Sequence, residues 1–116
     1  MNNKISITLV LLLVPFFMEA STSPVGPWKY QAPDAAYEYS SGKIIVVSES
    51  DAYLVKIEVN GQTIPADKVK YDNNQLSFTI YVESQLVSLN IKVEDNSMKG
   101  FASYSEGELE VTATRE

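Results

Sequence analysis

Neither histidine nor cysteine occurs among the 116 residues. Without cysteine there is no disulfide, no thiolate nucleophile and no lipid-modified N-terminal Cys. Without histidine there is no Ser-His-Asp arrangement, no imidazole base and no ordinary zinc site. Nor is there a glycine-rich phosphate loop, since NGQT and GKII lack the spacing that cradles phosphates. Basic residues are few, 9 Lys and Arg against 15 Asp and Glu, for a net charge of −6. Nucleic acid is thereby excluded as a partner, because its phosphates require a basic stripe. An anionic membrane surface is disfavoured for the same reason. The acidity reads as solubility outside the cell.

Long hydrophobic runs are scarce too. The longest, Ile5–Phe17 (ISITLVLLLVPFF), falls well short of the roughly 20 residues of a membrane span. It follows a short polar start with Lys4 and precedes the small residues Ala20-Ser21-Thr22-Ser23. That order is the architecture of a secretory signal peptide, expected over residues 1–22. Residues 23–116 then form one domain, secreted or periplasmic, with no membrane span in the mature protein. Removing Lys4 and Glu19 leaves 8 basic and 14 acidic residues and the same net −6. An exported domain this small without disulfides leans towards a bacterial source, and its core must supply the stability alone.

What the chain has in abundance is period-2 alternation. Tyr53, Val55, Ile57 and Val59 share one face, with Lys56 and Glu58 on the other. Leu76, Phe78, Ile80 and Val82 repeat the pattern, as do Val87, Leu89, Ile91 and Val93, and then Leu109, Val111 and Ala113. Each set reads as a strand with one buried face. Trp28-Lys29-Tyr30 is a short first strand, and Lys43–Glu49 is a β-branched strand expected to be covered on both sides for part of its length. Ser50-Asp51, Asn60-Gly61, Asp72-Asn73-Asn74, Glu83-Ser84-Gln85, Asp95-Asn96-Ser97 and Ser105-Glu106-Gly107 mark turns, Asn-Gly most strongly. Pro65 suits a strand end, and Gly100 a bulge or a sharp bend. The fold class is all-β: an antiparallel meander of about nine short strands forming a small barrel, with a β-sandwich as the alternative. Residues 21–27 (STSPVGP) read as a mobile tether. Gln31–Gly42 is a long loop in which Asp34-Ala35-Ala36 could open one helical turn, either functional or a lid over one end.

Carboxylates, tyrosines and turn residues remain as candidate chemistry. Glu83 and Glu94 could flank a glycosidic bond in principle, but both stand at strand ends where solvated carboxylates are ordinary. Asp72–Asn74 and Glu94–Ser97 cluster oxygen atoms, yet lack the alternating ligands of a calcium loop, and Asn and Asp are what tight turns select. No metal, cofactor or catalytic residue is expected. The seven tyrosines and one tryptophan are the better lead. Tyr37 and Tyr39 lie in the long loop and Tyr81 on the polar face of its strand. Planar side chains there suit a glycan or peptide surface. Equally, Trp28, Tyr30, Tyr53, Tyr71 and Tyr104 could fill the core while Tyr37 and Tyr39 cover one end.

Gly26-x-Trp28, Ala32-Pro33-Asp34, the Tyr-Ser-Ser-Gly stretch ending at Gly42, Asn60-Gly61, Val69-Lys70-Tyr71 with Leu76-Ser77-Phe78, and Met98-Lys99-Gly100 follow one another along the chain. Over about residues 26–114 this order resembles small exported bacterial domains of lipocalin-like (calycin-like) β-barrel type, found alone or appended to secreted hydrolases. The resemblance implies that Trp28 plugs the closed end of a barrel, and it implies no catalytic residue. The chain is shorter than true lipocalins and lacks their C-terminal helix, and small barrels are often filled by their own side chains. The function expected is a non-catalytic exported binding or accessory module for a glycan, peptide or small apolar ligand. Trp28, Tyr37, Tyr39 and Tyr81 are its candidate contact residues. The alternative is a structural module of the envelope or secretome whose partner is another secreted protein.

Overall fold

A computed structural model describes residues 22–116, so the signal peptide expected over residues 1–22 lies, but for Thr22, outside the described residues. Nine strands follow in order: β1 (Gly26–Gln31), β2 (Ser41–Glu49), β3 (Ala52–Val59), β4 (Gln62–Pro65), β5 (Asp67–Asp72), β6 (Gln75–Val82), β7 (Gln85–Glu94), β8 (Ser97–Tyr104) and β9 (Gly107–Arg115). All pairings are antiparallel, in the order β4-β3-β2-β1-β9-β8-β7-β6-β5. The sheet curls into a nearly closed barrel. No helix among the described residues is long and apolar enough to cross a membrane.

The turns explain the meander. Ser50-Asp51, Asn60-Gly61, Asn73-Asn74 and Glu83-Ser84 all hold positive φ at both central residues. That is the type I′ geometry, whose twist matches the strands it joins. The alternation explains the inside, where Trp28, Ile44, Val46, Leu76, Phe78, Ile91, Val93 and Met98 are almost wholly buried. Each such side chain contributes roughly 1.5–3 kcal/mol. β2 departs from expectation. Ile44 and Val46 are buried, Ile45 is half-buried and Val47 is exposed, so the strand is not covered on both sides. An antiparallel barrel wall has a solvent face, and there Val47 stands opposite Leu54 of β3, each partly sheltering the other.

β4 and β5 run in the same direction and are separated by Ala66 alone. They are two halves of one bent strand, which leaves eight wall positions, the even number an up-and-down barrel needs to close. The first half pairs with β3 and ends where the Ala66 amide donates to the Val55 carbonyl, 3.0 Å away. The second half pairs with β6 through a bulge between Asp67 and Lys70, with Lys68 at φ +54°. A seam remains where the two halves change partner, bridged near its lower part by the edge-to-face pair Tyr53–Tyr71, centroids 5.6 Å apart.

Residues 22–25 are not a tether. Pro24 is fully buried, and its carbonyl accepts the Trp28 indole N–H at 2.9 Å. The Arg115 guanidinium lies 4.2 Å over the Trp28 ring. It donates to the carbonyls of Val25, Ser23 and Asp95 at 2.8, 3.1 and 2.8 Å. The Tyr71 hydroxyl donates to the Thr22 carbonyl, and Asn74 Oδ1 accepts the Thr22 amide at 3.2 Å. Sequence composition suggested mobility, but a partner from the far end of the chain fixes the segment. Together these groups close the lower end of the barrel.

Gly100 sits in unbroken register between Ile91 and Val111, so it forms no bulge. A Cβ there would lie 2.1 Å from the Asn90 carbonyl oxygen and 2.6 Å from Ile91 Cα. The backbones of β7 and β8 therefore approach here closer than any side chain permits. Gly100→Ala is expected to destabilise the fold by about 3 kcal/mol or more in urea titrations. Gly61→Ala, in the open Asn60-Gly61 turn, should cost only about 1 kcal/mol. Arg115→Met removes four charge-assisted bonds, the fourth to Asn96 Oδ1 at 3.3 Å, and the stacking contact, and should cost about 1–3 kcal/mol in the same assay. An unchanged midpoint for Arg115→Met would show that the lower end holds without it.

Candidate functional site

Hairpin geometry collects four connections at the upper end of the barrel: residues 32–40, 60–61, 83–84 and 105–106. Below them the interior is hollow. A cavity of about 310 Å³ occupies the upper half, walled by inward residues of the strands such as Ile44, Ile57, Ile80, Val87, Leu89 and Val111. Large side chains (Trp28, Phe78, Leu76, Met98) fill the lower half instead. The volume stands at the small end of the 300–1,000 Å³ usual for ligand sites.

Residues 32–40 fold over this hollow. The Ala32 amide donates to the Ser40 carbonyl at 2.8 Å, closing the loop at its base. A turn at Ala32–Ala35 and one 3₁₀ turn at Tyr37–Tyr39 shape it. The helical turn therefore comes later than Asp34-Ala35-Ala36, since the bend after Pro33 uses Asp34 itself. Two hydroxyls pin the loop. Tyr30 donates to the Tyr39 carbonyl at 2.8 Å, and Tyr39 donates to Glu83 Oε2, across the mouth on the β6–β7 turn, at 2.9 Å. Burial pushes the Tyr30 hydroxyl up to about 12, with the neighbouring Tyr39 adding to the effect. The hydrogen bond to Glu83 raises Tyr39, with partial burial a smaller cause.

The four aromatic candidates do not converge. Tyr39 lines the cavity from the loop. Tyr37, beside it, is 92% exposed and points away. Tyr81 stands on the outer wall of β6 opposite Leu86 and is 58% exposed. Trp28 is wholly buried at the opposite end of the barrel. The mouth is made instead of Tyr30, Asp34, Tyr39, Glu83, Gln85 and Tyr104. Tyr30 and Tyr104 were visible as inward aromatics, but nothing local in the sequence marks Glu83 and Gln85 as facing them.

The other candidate chemistry disperses. Glu83 precedes the ten-residue β7 and Glu94 is its last residue, about 35 Å apart at the rise of a strand. A glycosidic pair needs its carboxylates within about 10 Å. Asn74 Oδ1 accepts from the Thr22 amide, and the Asp95 carbonyl and Asn96 Oδ1 accept from Arg115, so these turn oxygens serve the closed end. No cluster of three or more acidic residues able to hold a metal occurs among the described residues.

The folded protein holds the Tyr30 proton more tightly than the unfolded chain, where the hydroxyl titrates near 10.0. The stability this provides is complete below pH 10 and is lost as pH rises to about 12. It amounts to roughly 2 kcal/mol across that window. Urea midpoints of the Tyr30→Phe variant should fall less steeply than those of the wild type between pH 10 and 12. Parallel slopes would place the last-titrating hydroxyl elsewhere.

No protein family, curated protein or solved structure matches the chain.

Proposed function

We propose that the protein is an exported, non-catalytic binding module whose ligand is a small apolar molecule held in the upper half of the barrel. The observation that carries this reading is the hollow of about 310 Å³ beneath the 32–40 loop. Its walls are aliphatic and its polar groups gather at one end, the usual division of a small-molecule site. Glycan and peptide are less well served. They favour exposed aromatic platforms, and Tyr37 and Tyr81 stand apart on convex surface. Export rests on the order of charge, apolar run and small residues before Ser23.

A structural module docking on another secreted protein is the second reading. It is favoured by the exposed Val47 and Leu54, 44% and 48% accessible, beside exposed Val25. A partner covering that strip would be lost in a Val47→Lys/Leu54→Lys variant and kept when the cavity is blocked.

Titration with the apolar dye N-phenyl-1-naphthylamine tests the first reading. Saturable one-to-one fluorescence enhancement is expected, with displacement by 1-decanol. A ligand at a hundred times Kd should stabilise the fold by roughly 2.7 kcal/mol in the same preparation. Val87→Phe, filling the hollow from its half-buried wall, should abolish the enhancement while the protein stays folded. Absence of both dye and decanol binding in the wild type would sink the reading.

A further inference from the structure

The mouth of the cavity carries charge of one sign only. Asp34 and Glu83 are the charged residues that line it, and no Lys or Arg does. Glu38 and Glu106 add to the same end, and the four upper connections contain no basic residue. The lysines sit on the outer wall: Lys29, Lys43 and Lys56 are exposed on their strands. Lys43 is paired with Glu116 at 3.5 Å. Arg115 is spent at the closed end.

Hydrogen-bond supply points the same way from a separate observation. The Tyr30 and Tyr39 hydroxyls donate to the Tyr39 carbonyl and to Glu83. The Gln85 amide donates to Ser105 Oγ at 2.7 Å. The residues lining the mouth therefore bring mostly acceptors: two carboxylates, the Gln85 side-chain carbonyl and hydroxyl lone pairs, against the Tyr104 hydroxyl and one remaining Gln85 proton. A carboxylate or phosphate head would find few donors and two like charges. An ammonium head would find acceptors for its three protons and charge of opposite sign. The hollow beneath, about 310 Å³ and open at the mouth, is of a size for a short aliphatic chain.

We propose that this cavity selects a single-chain aliphatic amine, its chain among the strand side chains and its ammonium group between Asp34 and Glu83. The proposal rests on the cavity being a binding site, and the test separates the two. Binding of decylammonium, 1-decanol and decanoate is compared by calorimetry at pH 7, below the concentrations at which they form micelles. Decylammonium should bind tightest and decanoate weakest, the two differing by about tenfold, the scale of exchanging a half-exposed attractive pair for a repulsive one. Asp34→Asn, which leaves the Tyr39–Glu83 contact intact, should narrow that gap by about threefold, as should Glu83→Gln, with decanol binding to each variant measured beside it to report any change in the cavity itself. Decanoate binding as tightly as the amine, with decanol also bound, would overturn the charge selection and keep the cavity. Failure of all three ligands would overturn both.

Discussion

The hydrogen bonding of β1 to two neighbours at once is the constraint on which the rest depends. Its Gly26–Gln31 run pairs with β2 along one edge and with β9 along the other, joining the first and last strands of what are otherwise local hairpins. Local turns make hairpins cheap to form, but only this long-range pairing curls them round an inside. Every consequence described above follows from that curl. Inward side chains acquire a common core, the two ends of the barrel become different, and Arg115, near the end of the chain, comes to lie on Trp28.

Difference between the ends is what makes room for a site. Below, Trp28, Phe78, Leu76 and Met98 fill the tapering interior. Above, the wall is made mainly of Ala, Val, Ile and Leu below a rim that includes Tyr30 and Tyr104, and the long connection between β1 and β2 covers the space they leave. That connection is held by bonds from Tyr30 to Tyr39 and from Tyr39 to Glu83. A residue from the first wall strand thus positions one from the lid, which reaches to the opposite rim.

The scaffold was legible in the sequence because its information is local. Alternation specifies a buried face two residues at a time, and Ser50-Asp51, Asn60-Gly61, Asn73-Asn74 and Glu83-Ser84 each specify their own hairpin. The solvent side of β2 was misjudged because Val47 is chosen for strand preference and cross-strand contact, which look like burial. Pro24 and its neighbours resembled a linker, since the group that fixes them is Arg115, some ninety residues away. The mouth was the least legible part. Tyr39 was marked by its place in a long loop, but Glu83 read as an ordinary turn carboxylate, and only barrel closure sets the two face to face.

The bent strand formed by β4 and β5 gives the wall a property that a fully bonded cylinder lacks. Around most of the circumference each strand is zipped to both neighbours, so its girth is set by backbone geometry. At the change of partner, β4 faces the upper part of β6 and β5 faces β3 without a continuous ladder. The interval between them is governed by side chains such as Ile64, Ile80 and Val82, which also border the hollow. The seam is therefore the one stretch of the described wall whose width is set by side-chain packing and not by a backbone ladder, and it lies beside the cavity.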